Sequence, residues 1–197
     1  YEVRRRSVGW ERVLPDSNYI ALTAGLHASG RKGEKPAIPL NVVGDYGGGG
    51  MMLAFGLVCA LLETQQSGQG QVVDCSIVDG VASLMGFFYS QLQAGIGSDE
   101  RGGNMLDSGA FFYDVYETSD GKYVSIGSIE PQFFKELVTL LELSESESAE
   151  WMQNQWAIKT WPQMADKLEA LIKTKTRDAW CDIFEGSDVC FAPVLSM

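Results

Sequence analysis

A run of four glycines, Gly47 to Gly50, follows Asp45-Tyr46 and leads straight into an apolar stretch, Met51 to Leu62. This order constrains the chain more than any other feature. It predicts a helix from the glycines to about Gln65 that is apolar all round, stopped by Ser67-Gly68-Gln69-Gly70, and such a helix is expected to lie inside the protein. It also puts Asp45 where the unbonded N–H groups of a helix start create a positive potential.

The rest of the composition is that of a globular chain. Of 197 residues, 45% are apolar and 21% charged, enough for one good core or two small ones. A net charge of −11 repels phosphate backbones and anionic lipid, and only Arg4-Arg5-Arg6 and Arg31-Lys32 interrupt it. Nucleic acid and membrane are therefore not expected partners. Met51 to Leu62 contains Gly56 and is shorter than the roughly 20 residues a bilayer crossing needs. Cys59, Cys75, Cys181 and Cys190 lie in apolar segments without CxxC spacing, and there is no Asn-x-Ser/Thr acceptor, which fits a reduced, intracellular compartment. The chain opens on Tyr1 without a methionine and closes on Val194-Leu195-Ser196-Met197 after an apolar run, so both termini are expected to be cut.

Around the glycine run, Asp16 or Ser17 can cap a helix carrying Tyr19, Ile20, Leu22, Thr23 and Leu26, with Gly30 as its end. Residues 71–77 predict a strand, and Val78 to about Ala94 another core helix. The polar, glycine-rich stretch Ser98 to Gly109 predicts a boundary or linker. Beyond it, Phe111–Glu117 and Lys122–Ser128 read as strands joined at Asp120-Gly121. Pro131 opens a helix bearing Phe134, Leu137, Val138 and Leu141, and Glu142 to Glu150 reads as a solvated loop. Met164, Leu168, Leu171 and Ile172 mark the next helix. Thr176 caps a short one with Trp180, Ile183 and Phe184 that stops at Gly186, before a strand around Val189 to Val194.

A carboxylate beside unbonded backbone amides suits proton abstraction α to a carbonyl, with the amides holding an oxyanion, and equally suits nucleophilic acyl transfer. Locally the motif is also consistent with an ordinary turn and an N-terminal cap, because the Walker lysine and the GxGxxG spacing are both absent. His27 is the single histidine and lies near a helix end, where an imidazole is electrostatically comfortable. Glu130 reads locally as a first-turn acid, and Trp151, Trp156 and Trp161 as packing or surface residues rather than a ligand box. Met51, Met52, Met85 and Met105 could offer an adaptable apolar surface, although methionines in helices more often fill cores.

Several phrases together resemble the α-methylacyl-CoA racemases of the family III CoA-transferase superfamily. They are Asn18-Tyr19-Ile20-Ala21-Leu22, the stretch from Asn41 to Gly49, Gly70-Gln71-Val72-Val73-Asp74, Arg101-Gly102-Gly103-Asn104-Met105-Leu106-Asp107, and Ile129-Glu130-Pro131-Gln132-Phe133-Phe134. The resemblance runs through almost everything from Asp16 onward. It implies an α/β fold: a partial family III fold, with the C-terminal part of a Rossmann-like large domain plus a small α+β domain. Residues 1–77 would be the remnant of the large CoA-binding domain, 78–109 a linker helix and loop, and 110–197 a small domain incomplete at its C-terminus. It further implies epimerisation of 2-methylacyl-CoA thioesters through an enolate, with Asp45 serving one face of the α-carbon. Asn41 would bond Asp45, Glu130 would orient a histidine serving the opposite face, and Asp16, Asn18 and Tyr19 would line the substrate cleft. The implied partners are an acyl-CoA thioester and a second, interlocked copy of the chain. No metal or separate cofactor is implied, coenzyme A being part of the substrate. The compartment would be cytoplasmic in a bacterium, mitochondrial or peroxisomal in a eukaryote.

The chain departs from that pattern at Leu14-Pro15-Asp16, where the family has Gly-His-Asp. Pro15 stands in place of the histidine and cannot transfer a proton, so the chain alone is expected to be inactive. Tyr1 to Leu14 matches no family phrase. Two alternatives stay open: a CoA-transferase using Asp45 as nucleophile, and a non-catalytic chain that pairs with a full-length subunit.

Overall fold

The computed structural model describes residues 15–197. The expectation that Tyr1 to Leu14 is unlike the family lies outside those residues. The chain forms two compact units, divided between Arg101 and Gly102.

The first unit is helical. Helix α1 spans Asp16–Ala21 and α2 Gly25–Ala28, with Ala24 between them in the left-handed region at φ 58°. The single helix expected from Asp16 to Gly30 is thus broken, and Pro15 rather than Asp16 or Ser17 holds the N-cap position. Asp16 is instead the first helical residue, with its carboxylate used elsewhere. The glycine run enters a π-helix, Val42–Met51, whose wide ladder begins with the Tyr46 N–H donating to the Asn41 carbonyl oxygen at 3.2 Å. It continues as α3, Met52–Ser67, closed by Gly68 at φ 72°. Helices α4, Ile77–Leu84, and α5, Gly86–Gln93, follow, meeting at Met85 where one helix was expected.

Further expectations fail in this unit. Residues 71–76 form no strand, because among the described residues no neighbouring strand offers the ladder that an extended segment needs. The segment runs along the π-helix and α3 instead, where the Cys75 thiol reaches the Gly49 carbonyl at 3.7 Å. Nor is the apolar helix inside: of α3 only Ala60 is buried, while Phe55, Val58, Leu61 and Leu62, and Met51 just before them, are exposed. Little of this unit is available to cover them, its buried residues being chiefly Ile20, Thr23, Ala60, Val81 and the glycines Gly25, Gly44, Gly48 and Gly80. Because the glycine run joins α3 without a break, Val42–Ser67 is long and apolar enough to cross a membrane by length and composition. Counted with the glycine run, the apolar stretch is therefore not too short for a bilayer crossing. Its glycine face is nevertheless covered by α4, not open to lipid: a Cβ at Gly48 would stand 2.8 Å from the Val81 nitrogen.

The second unit carries a three-stranded antiparallel sheet in the order β1-β2-β3, with β1 Tyr113–Glu117, β2 Tyr123–Gly127 and β3 Phe191–Pro193. Tyr116 pairs with Val124 and Ser125 with Ala192. The hairpin expected at Asp120-Gly121 forms, Gly121 adopting φ 70°. Helices α6, Pro131–Leu140, α7, Glu145–Asn154, α8, Trp161–Ile172, and α9, Arg177–Phe184, surround one core. Phe111, Phe112, Phe134, Leu137, Trp151, Met164, Leu168, Ile172 and Trp180 are all at most 2% exposed there. The expected solvated loop from Glu142 to Glu150 is mostly α7. Ser144 caps the Glu147 N–H while the Glu147 carboxylate accepts from the Ser144 N–H, a capping box, and Trp151 anchors the helix in the core. Trp161 is buried, whereas Trp156 is half-exposed and meets Phe112 edge to face.

Candidate functional site

Asp45 lies in the first turn of the π-helix with its side chain exposed. Its backbone N–H donates to Asp16 Oδ1 at 2.6 Å, a short, charge-assisted bond that satisfies a donor no intrahelical carbonyl can reach. The carboxylate fits there because residue 44 is glycine: a Cβ on Gly44 would overlap the Asp16 carboxylate and stand 3.1 Å from Ile20 Cγ2. Asp16 and Asp45 are therefore brought together by a glycine that neither local periodicity nor capping preference singles out.

The glycine amides are placed differently from the simplest expectation. From Tyr46 onward the π-helix ladder takes up the N–H groups, so those left without an intrahelical acceptor are in the first turn, at Val42, Val43 and Gly44. Any oxyanion cradle belongs to these residues rather than to Gly47–Gly50.

The other sequence candidates fall as follows. Asn41 is the N-cap residue of the π-helix and its carbonyl accepts from Tyr46, while among the described residues its side chain makes no cap bond. Asn18 is exposed and Tyr19 half-buried on α1. Glu130 belongs to the second unit, where it is the exposed N-cap residue of α6. His27 faces Asp99, with Nε2 at 2.9 Å from its carbonyl oxygen and 3.5 Å from Oδ1, and the backbone around it is clamped by Arg101, which donates to the His27 and Glu34 carbonyls. It serves the surface of the first unit. Met51 is exposed and Met52 and Met85 are half-buried in the first unit, while Met105, also half-buried, packs against the core of the second.

Sequence reasoning missed one feature of the second unit. A cleft of about 360 Å³ opens on the sheet, lined among others by Tyr113, Ser125, Gly127, Cys190 and Phe191. Cys190 holds φ 56°, and burial, followed by the charges of Glu130 and Asp188, pushes its thiol pKa up, so it stays a neutral thiol. Cys75 is raised likewise by burial, then by Asp74 and Asp79. All four cysteines are free.

The family model for CoA-transferase family III matches residues 11–197, so Glu11 to Leu14 fall inside the family match and the expectation that Tyr1 to Leu14 is unlike the family is corrected for those four residues. The chain belongs to CoA-transferase family III. Within that family it is 43% identical to the α-methylacyl-CoA racemase of Mus musculus and 41% identical to that of Homo sapiens, each over 92% of this chain and 46% of the relative. Identity to the succinyl-CoA:glutarate CoA-transferase of Homo sapiens is 22%, over 95% of this chain and 42% of the relative. The chain thus spans about half the length of the curated relatives it matches. Solved family folds superpose on it. The Rv3272 protein of M. tuberculosis covers 98% of this chain at a TM-score of 0.72 and 18% identity, and this chain covers 52% of it. A CAIB/BAIF family protein from Brucella suis covers 94% at 0.70 and 20%, with 49% of that chain covered. The expected partial family III fold is the one observed.

Proposed function

We propose that this chain is part of an enzyme that epimerises 2-methylacyl-CoA thioesters, with Asp45 as the acid/base on one face of the α-carbon. The observation that carries the reading is the exposed Asp45 carboxylate beside first-turn amides that have no acceptor within their glycine-rich helix, in a chain far closer in sequence to racemases than to the CoA-transferase compared with it. The Asp45 carboxylate takes the α-proton as the C–H bond breaks. The electron pair moves into the thioester to give an enolate, whose oxygen accepts from the N–H groups of Val42, Val43 and Gly44. Returning the proton to the same face restores the substrate, and delivering one to the opposite face inverts it. With Pro15 at the position of the family's histidine, this chain supplies only the Asp45 face.

The same reading makes the substrate an acyl-CoA and leaves coenzyme A as part of it, with no metal or further cofactor. It takes the partner to be an interlocked second copy, with Glu130 and Asn41 as supporting residues and Asn18 and Tyr19 along the cleft. Free thiols favour a reduced compartment, and the protein-covered glycine face of Val42–Ser67 favours burial in protein over lipid.

The test is α-proton exchange of a 2-methylacyl-CoA in deuterated water by the protein at its native length. The expected result is exchange on one enantiomer without inversion, abolished by Asp45→Asn, with inversion added by Pro15→His. A hydroxylamine-sensitive acyl adduct on Asp45, with no α-exchange, would overturn it in favour of acyl transfer.

A further inference from the structure

We infer that Asp16 is a positioning residue for Asp45 rather than a contact for the substrate. The inference rests on the acid/base reading of Asp45. The Asp16 carboxylate spends Oδ1 on the Asp45 N–H at 2.6 Å, in the space left by the missing side chain of Gly44. A base is useful only if its carboxylate leaves the backbone in a set direction, and the Asp45 N–H, in the first turn, has no carbonyl of its own helix to set it.

Asp16 can do this because its own helix is held. Ile20, one turn on, is fully buried and packs toward Gly44. The Thr23 hydroxyl donates to the Ile20 carbonyl at 2.8 Å, and the Thr23 carbonyl accepts from the Tyr89 hydroxyl of α5. A chain of packed and hydrogen-bonded groups thus runs from α5 through α1 to the Asp45 backbone, and Asp16 is its last link. The bond needs an acceptor at position 16, and its charge shortens it, so asparagine retains the geometry with a weaker bond while alanine removes it.

The experiment compares Asp16→Asn, Asp16→Ala and Gly44→Ala with the parent at native length, reading the amide hydrogen exchange of residue 45 and the kcat and KM of α-proton exchange. In Asp16→Ala the residue 45 amide is expected to exchange about tenfold faster or more, with kcat falling by a similar factor and KM within about twofold. Asp16→Asn is expected to recover most of both. Gly44→Ala, which displaces the carboxylate while leaving it in the chain, is expected to reproduce the alanine loss. An unchanged residue 45 amide in Asp16→Ala overturns the inference, as does a KM that rises at constant kcat, which would make Asp16 a substrate contact. If the parent catalyses no exchange yet the residue 45 amide responds as described, the acid/base reading falls and the backbone link stands.

Discussion

Gly80 of α4 packs so closely on Gly48 of the π-helix that a Cβ on Gly80 would overlap the Gly48 carbonyl oxygen. Two backbones meet there with no side chain between them, and a methyl group has nowhere to go without separating the helices. Gly80→Ala is expected to destabilise the first unit by roughly 1–3 kcal/mol. Amide exchange should rise across Val42–Met51 and Ile77–Leu84 while β1 to β3 keep their protection.

Phe111 meets Phe112, Phe134 and Trp151 edge to face at centroid separations of 5.3, 5.6 and 5.8 Å. It sits at the centre of the second unit's core and is 1% exposed. Phe111→Ala is expected to cost about 3–5 kcal/mol, read as a lower urea midpoint for the tryptophan fluorescence transition.

Asp120 ties the β1–β2 turn to α9. Its Oδ1 accepts from the Thr118 hydroxyl at 2.6 Å and the Arg177 N–H at 3.1 Å, and its Oδ2 faces Lys122 Nζ at 3.0 Å. The Thr118 bond first, then the Arg177 and Lys122 contacts, hold its carboxyl well below the usual carboxylate range. The folded pKa lies below the unfolded one. The stabilisation is therefore complete above the ordinary carboxylate pKa and is lost as pH falls toward the depressed folded value. Asp120→Asn is expected to lower the melting temperature at neutral pH, and the gap to the parent should narrow only on acidification below about pH 4. A gap independent of pH would sink the electrostatic explanation.

Phe55 is 70% exposed on α3 although the sequence alone would bury it. Phe55→Ser is expected to change the stability of the chain by no more than about 0.5 kcal/mol, since most of the ring is already in solvent, and to reduce binding of an apolar dye. A large destabilisation would show that this face is covered in solution.

Much of the second unit was legible because its signals are local. Asp-Gly at 120–121 set a tight turn, Pro131 a helix start, Thr176 a cap, and the spacing of Met164, Leu168 and Ile172 a helix face that the structure buries. Helix α7 was equally local but was outweighed by its charged composition: Ser144 and Glu147 carry the capping-box spacing, and Trp151 provides the anchor. In the first unit the composition of α3 misled, because an apolar helix is buried only if other chain covers it, and periodicity does not say whether that cover exists.

The sequence by itself determined that Asp45 stands at the start of a glycine-rich helix, and its phrases carried the family resemblance. Both are properties of neighbours along the chain. Only the tertiary structure decided that residues 71–76 join no sheet among the described residues, that the glycines wind as a π-helix against Gly80, and that Asp16 holds the Asp45 N–H across 29 residues of sequence. Those contacts depend on which backbone groups find partners in space, and no spacing along the chain encodes that.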